Sequence, residues 1–488
     1  STGASIGSPH ERSALPPSAA SRGASQSARA TPPSTASPVT AARIFGTDGI
    51  RGRAGEGWLS ADSVSAIGRT VGAVLARGKK AGRPHVLLGH DGRRSGPELE
   101  RALARGFAAS GFEIHSAGLI STPGLALLAR LREYEVGAMI SASHNPASDN
   151  GIKLFNREGR KLSDALELEI EERLRADPKP VAAGAAPDHD PSLELAYLTY
   201  LVDKAGANLS LAGLSIVIDC ANGGASRVAP RVLGRLGAHV TPIHAEPDGE
   251  NINRGCGSTH PESLQAQVRR LDAHLGIALD GDGDRCILVD ERGQLVHGDG
   301  ILTVCARQAA RANAWKDPRV VATVMSNKGL HRALREVGVG VLTVDVGDRN
   351  VVEALERESI RLGGEQSGHV VFGADNYFIG DGIYTALRVL RVMKETQQPL
   401  SALCSAYREF PQVLINVPVT RKPSLTSMPP VMDEVRAVEG ELGEDGRVLV
   451  RYSGTEALAR VMVEGPDSAG IAEQAQRLAR AIAAEIGA

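Results

Sequence analysis

The chain has 488 residues, 42% of them apolar, which fills several cores at roughly 150 residues per domain and excludes a single small module. Lys+Arg 55 against Asp+Glu 57 leaves a net charge of -2, so nucleic acid and anionic membranes have no bulk electrostatic claim on it, and 3% aromatics argue against a base-stacking surface. The 5 Cys are scattered without C-x-x-C spacing, which points to neither a disulfide framework nor a zinc site and fits a reducing cytosol.

Residues 1–42 are dominated by Ser, Ala and Pro, with Arg12, Arg22 and Arg29 against the single acid Glu11. Such a stretch buries too little surface to offset its ordering entropy, so a disordered tail is expected, although organelle transit peptides share this composition. No run of 18 apolar residues occurs, which predicts no membrane span. From residue 43 short β-rich runs alternate with amphipathic stretches. HVLLGHD (85–91), a helix over 96–110, EIHSAGLI (113–120), the helical PGLALLARLREY (123–134) and VGAMISAS (136–143) predict repeated β/α units, the pattern of a mostly parallel sheet with covering helices. A second set starts at LSIVIDC (214–220) and reaches LGIALD (275–280); a third runs from RVVATVM (319–325) past residue 400. The last stretch has strands over 412–420, 446–453 and 458–465 and a long helix over 468–486. The expected fold is α/β in four domains: three doubly wound α/β domains at 43–200, 201–298 and 299–411, and a smaller C-terminal α+β domain at 412–488.

LDGDGDRCILVD (279–290) carries the strongest chemical signal. Asp280, Asp282 and Asp284 alternate with glycines at the end of an apolar strand, and in extended backbone positions two apart point the same way. Three converging carboxylates repel unless a hard cation lies between them, and all-oxygen ligation selects Mg²⁺, Mn²⁺ or Ca²⁺. The plain alternative is an acidic surface turn. An EF-hand loop fails because Arg285 stands at the sixth position, where Gly is needed, and a strand follows.

MISASHNPASDNGIKLF (139–155) is an apolar strand ending in Ser-His-Asn-Pro, and α/β folds place chemistry at the carboxyl ends of strands. Ser143 offers a nucleophile, His144 a base or orienting partner, and Lys153 a proton donor or phosphate contact; alone, a Ser-His-Asn-Pro turn is more often a hydrogen-bonded loop than a catalytic one. In GGEQSGHVVF (363–372) Glu365, Ser367 and His369 alternate, so they either face one ligand beside Gly364 and Gly368 or line a polar edge strand. Carboxylate and hydroxyl suit sugar hydroxyls, and His suits acid–base work near neutral pH. RYSGTEALAR (451–460) sets Ser453, Gly454 and Thr455 in a tight turn between Arg451 and Arg460, a combination suited to phosphate.

These loops and FGTDGIRG (45–52) occur in an order and spacing that resembles the α-D-phosphohexomutase superfamily from Arg43 to the C-terminus. SASHNP, INRGCGSTHPE (252–262), VGDR (346–349) and GEQSGH together resemble its phosphoglucosamine mutase branch. The resemblance implies four domains around a central cleft and a cytoplasmic, Mg²⁺-dependent isomerase that interconverts glucosamine 6-phosphate and glucosamine 1-phosphate, feeding UDP-N-acetylglucosamine and cell-wall synthesis. Alternatives are a phosphoglucomutase or phosphomannomutase of relaxed sugar choice, a non-catalytic sugar-phosphate-binding relative, and a metal-dependent phosphatase. Ser143 is expected to be carried as phosphoserine and to hold one Mg²⁺ per chain together with Asp280, Asp282 and Asp284. By matched position, Lys153 and His369 are candidate general acid and base, Arg51 and Arg285 phosphate contacts, His144 a substrate contact, and Glu365 and Ser367 sugar contacts. Arg451, Ser453, Gly454, Thr455 and Arg460 would hold the distal phosphate. The implied partners are a sugar phosphate and a hexose 1,6-bisphosphate activator, with no nucleic acid or membrane; a homodimer and a hinge near 410–420 are further expectations. Tyr452 and Ala457 stand where the family has Pro, which predicts a looser loop with weaker phosphate affinity. FIGDG (378–382) also departs from the family's small polar residues, and nothing in the sequence explains it.

Overall fold

The computed structural model describes residues 43–77, 82–182, 184, 187–453 and 456–488. The tail expected over 1–42, and Gly454 and Thr455 of the phosphate loop, lie outside the described residues. The first sheet, in the order β1-β5-β4-β2-β3, contains β1 (Ile50–Arg53), β2 (His85–His90), β3 (Glu113–Leu119), β4 (Val136–Ile140) and β5 (Asp149–Asn156). The second, ordered β10-β9-β8-β6-β7, contains β6 (Ser215–Asp219), β7 (His239–Ile243), β8 (Leu275–Leu279), β9 (Cys286–Asp290) and β10 (Leu295–Val296). The third, ordered β12-β11-β13-β14, contains β11 (Arg319–Thr323), β12 (Gly340–Val344), β13 (Gly363–Gly364) and β14 (Val370–Val371). The fourth is the antiparallel ribbon β15-β17-β16, from β15 (Gln412–Pro418), β16 (Arg447–Tyr452) and β17 (Leu458–Glu464).

In each of the first three sheets the parallel strands run out to one edge, ending in β3, β7 or β12, and antiparallel strands form the opposite edge. The reason bears on function. After β4, β8 and β13 the chain does not cross over through a helix but turns straight back into β5, β9 and β14, and only an antiparallel partner can follow so short a connection. The SASHNP, DGDGDR and GEQSGH segments are those three turns. Each is anchored at both ends by adjacent strands, at the carboxyl end of a parallel strand.

The supporting strands are apolar because both faces are covered: every residue of β4 (VGAMI) and of β8 (LGIAL) is buried. One apolar cluster runs continuously from Leu87 and Leu125 through Ile218 and Leu279 to Leu302 and Leu390, joining the first three sheets. The fourth sheet has its own core. Helix Ser468–Ile486 starts where Asp467 accepts hydrogen bonds from the amides of Ala469 and Gly470, and buries Ile471, Ala475, Leu478, Ile482 and Ile486 at spacings of three and four. Among the described residues no helix is long and apolar enough to cross a membrane.

Candidate active site

Ser143 sits at the tip of the β4–β5 turn with φ 51°, a left-handed conformation that costs a non-glycine residue roughly 1–2 kcal/mol. Its surroundings hold it there. Its carbonyl accepts hydrogen bonds from Arg93 Nη2 at 2.9 Å and Asn253 Nδ2 at 2.8 Å, and the same side chains reach the carbonyl of Asn145 at 2.9 and 3.1 Å. Arg93 Nη1 donates further to the carbonyls of Pro146 and, at 3.0 Å, Asp149. Arg93 is fully buried, its charge met by Asp91 at 2.9 Å; Asp91 also accepts from Ser141 Oγ at 2.6 Å, and that hydroxyl accepts from the Ser143 amide at 2.9 Å. Sequence reasoning missed both clamps. Asn253 lies within the INRGCG motif and Arg93 in the HDGRR segment that leaves β2, so an Asp-x-Arg directly after a parallel strand was the available signal.

So fixed, Ser143 Oγ donates to Asp280 Oδ2 at 2.7 Å. The three aspartates converge as expected but by another route: residues 280–284 form a turn, not extended backbone, closed by the Gly283 amide on the Asp280 carbonyl at 3.0 Å. Gly281 has no room for a side chain, since a Cβ would stand 2.7 Å from the Ser143 carbonyl oxygen. One carboxylate oxygen from each aspartate lies within 4.8 Å of the others. Asp282 Oδ2 accepts from Thr122 Oγ1 and Lys153 Nζ, both at 2.7 Å, whereas Asp282 Oδ1 and Asp284 Oδ1 are buried without a hydrogen-bond partner. Burial, reinforced by Asp284 and Asp282, pushes the Asp280 carboxyl well above the ordinary range. For Asp284 burial acts in the same direction, but Lys153 and then His369 outweigh it and hold that carboxyl well below. Unpartnered buried acceptors beside mutually repelling carboxylates are what an oxygen-ligated divalent cation resolves, so the residues fit Mg²⁺.

Lys153, 1% exposed, lies 2.7 Å from Asp282, 2.8 Å from Asp48 and 3.6 Å from Asp284. Burial would lower its pKa, yet these carboxylates keep the ammonium charged far above the usual range. Asp48, also not singled out from the sequence, pairs with Arg51 and, at 2.6 Å, with Lys161, which in turn meets Asp348 of the VGDR segment at 2.6 Å. A cavity of about 550 Å³ opens beside this network, lined among others by Asp48, Lys153, Lys161, Asp284, Asp348 and His369.

His369 arrives because the Cys286 amide bonds the Gly368 carbonyl at 2.9 Å, hooking the third turn onto the second, and its Nδ1 lies 3.7 Å from Asp284. Burial opposes the cationic imidazolium, but Asp284 prevails and raises its pKa to about 9. His144, 3.4 Å from Ser143 Oγ, is shifted down by burial and by Arg285 and Arg51. The alternation expected of Glu365, Ser367 and His369 is absent. Residues 365–368 form a turn, Glu365 accepts from the Gly347 amide at 3.0 Å, Ser367 Oγ is buried without a partner, and only His369 lines the cavity. The FIGDG segment now has a physical account. A Cβ on Gly380 would lie 2.3 Å from His369 Nε2, and Asp381 accepts the amides of Ile383 and Tyr384, starting helix Gly382–Thr396. Gly380→Ala must therefore displace the imidazole. Steady-state kinetics is expected to show kcat reduced about 100-fold, with KM little changed, the effect of a misplacement near 1 Å.

Arg451 and Arg460 face each other across β16 and β17. Like charges directly opposite destabilise a sheet unless an anion joins them; Arg460 meets Glu456 at 3.0 Å, while Arg451 is exposed. Ser453 is buried, and its hydroxyl accepts from the Glu456 amide at 3.2 Å. Among the described residues no hydrogen bond or ion pair joins this turn to the Ser143 cluster, and none of its residues lines the cavity.

Four families match the chain in order: phosphoglucomutase/phosphomannomutase alpha/beta/alpha domain I over residues 42–180, domain II over 196–293, domain III over 297–410, and the C-terminal domain over 414–481. A phosphoglucosamine mutase of Anaeromyxobacter sp. is 43% identical over 92% of this chain and 97% of its own length. One from Alkalilimnicola ehrlichii is 46% identical over 90% of this chain and 96% of its own. A solved phosphoglucomutase/phosphomannomutase family protein of Burkholderia thailandensis, 28% identical, superposes with a TM-score of 0.75 over 90% of this chain and 97% of its own. Matching domains in one order, and identity above two fifths across nine tenths of the sequence, make this chain a member of the phosphoglucomutase/phosphomannomutase family in its phosphoglucosamine mutase branch, an isomerase-class phosphotransferase.

Proposed function

We propose that the chain interconverts glucosamine 6-phosphate and glucosamine 1-phosphate through a phosphoserine at Ser143 and a hexose 1,6-bisphosphate intermediate, the same bisphosphate serving as activator. The carrying observation is the Ser143 hydroxyl 2.7 Å from Asp280, within the aspartate turn. Asp280, Asp282, Asp284 and the Ser143 phosphate would hold one Mg²⁺, which when bound compensates charge on the phosphoryl oxygens.

Phosphoryl transfer asks the protein mainly for alignment and charge compensation. Arg93 and Asn253 hold the backbone carbonyl of Ser143 and so fix its hydroxyl against the aspartate turn, which reaches the cavity through Asp284. Arg51 and Arg285 meet the transferring group, and Lys153 and His369 carry the proton of the sugar hydroxyl. After the first transfer the bisphosphate turns and the opposite phosphate returns to Ser143. In both orientations the distal phosphate rests on Arg451, Ser453 and Arg460. That reversal suits a chain divided as 43–200, 201–298, 299–411 and 412–488, the last domain moving on Phe410 and Pro411. Strand β15 occupies most of the 410–420 stretch, so the pivot precedes Gln412, where Asn327 brackets Phe410 with bonds to both its carbonyl and its amide.

Coupled assays should give the highest kcat/KM with glucosamine 6-phosphate over glucose and mannose 6-phosphates, and chelation of divalent ions should abolish turnover until Mg²⁺ is restored. A preference for glucose or mannose would move the assignment to a neighbouring branch. Arg451→Ala is expected to weaken the sugar phosphate by about 1–3 kcal/mol, read as a 10- to 100-fold rise in KM.

A further inference from the structure

At the other end of β2, away from the reaction centre, His85, Glu113 and His115 form a second cluster of metal-ligating side chains. Register explains it: His85 pairs directly with Glu113 across β2 and β3, and His115 lies two residues further along β3, so all three project from one face of the sheet. His85 Nδ1 and His115 Nε2 stand 3.2 Å apart. The Glu113 carboxylate straddles them, Oε1 at 3.5 Å from His115 and Oε2 at 3.9 Å from His85. One donor atom from each residue falls within 4.8 Å of the others.

Two imidazole nitrogens on a tetrahedral zinc, each about 2.0–2.1 Å from the metal, are about 3.3 Å apart, so the observed separation already matches an edge of that tetrahedron. Tyr134 packs edge-on against the His115 ring at 5.2 Å between centroids and limits its rotation. The three side chains are 42%, 48% and 30% exposed in chain order, which leaves an entry path and an open position for water. Imidazole with carboxylate selects borderline ions over Mg²⁺, which separates this site from the all-oxygen aspartate turn.

We propose that His85, Glu113 and His115 form a zinc-binding site that ties the amino end of β2 to β3. The reading is independent of the mutase chemistry, since none of its residues touches the cavity. The cysteine pattern gave no zinc signal because the ligands here are histidines separated in sequence and joined only by strand pairing. The test titrates Zn²⁺ into the full chain against a chromophoric chelator, with excess Mg²⁺ present to hold the aspartate turn. The expected result is one Zn²⁺ per chain for the parent that is lost in His115→Gln and His85→Gln, and about tenfold weaker binding in Glu113→Gln. Zn²⁺ should raise the melting temperature of the parent but not of His115→Gln, and mutase turnover without zinc should be the same in all four proteins. Equal zinc stoichiometry and affinity in parent and His115→Gln, or no zinc bound by the parent under Mg²⁺, overturns the proposal and leaves the pair as a histidine–histidine hydrogen bond.

Discussion

Ser143→Ala is expected to reduce mutase turnover by roughly four orders of magnitude or more, the scale seen when a covalent nucleophile is removed, while changing stability by no more than about 1–2 kcal/mol. The modest structural effect follows from the contacts. The Arg93 and Asn253 bonds reach the backbone carbonyl of residue 143, which alanine retains, and only the hydroxyl's contacts to Asp280 and His144 are lost. Intact mass before and after phosphatase treatment gives a second reading. The parent should lose one phosphate mapped to the 139–155 segment, and Ser143→Ala should carry none. Full turnover in Ser143→Ala would end the phosphoserine mechanism.

Arg93→Met adds a large loss of stability to the loss of turnover, at a residue that transfers no proton and does not line the cavity. Arg93 and Asp91 are both 0% exposed. Removing the guanidinium leaves a buried carboxylate without its cation, which costs about 3–5 kcal/mol. It also frees the carbonyls of Ser143, Asn145 and Asp149 from their common donor. Arg93→Lys retains the charge but not the planar fork, so chemical denaturation should show a smaller loss than for Met while kcat stays depressed. A lysine variant with normal kcat would show that the charge suffices and that the fork does not position the serine.

The four loops could be located because each is a short contiguous string and all occur in one order and spacing, although each alone has an ordinary reading, and the final helix could be placed at 468–486 because its apolar spacing agrees. What could not be read was whatever depends on chain segments meeting. Arg93 and Asn253 are ordinary polar residues until β2, the β4–β5 turn and the 251–257 loop come together. Asp48 lay inside a quoted motif, yet its importance comes from Lys153 and Lys161, more than a hundred positions away. The alternation argument succeeded for the aspartates through a turn rather than a strand and failed for Glu365 and Ser367, because period-two reasoning holds only in extended backbone. Gly380 had no rationale until the His369 ring was seen against it.

The left-handed backbone at Ser143 sets two demands on one residue against each other. Glycine would adopt φ 51° without steric strain, but it has no hydroxyl to take the phosphoryl group in the mechanism proposed. Selection for robustness and selection for turnover therefore pull this position in opposite directions. The rigid polar scaffold around it is what lets the less comfortable choice persist.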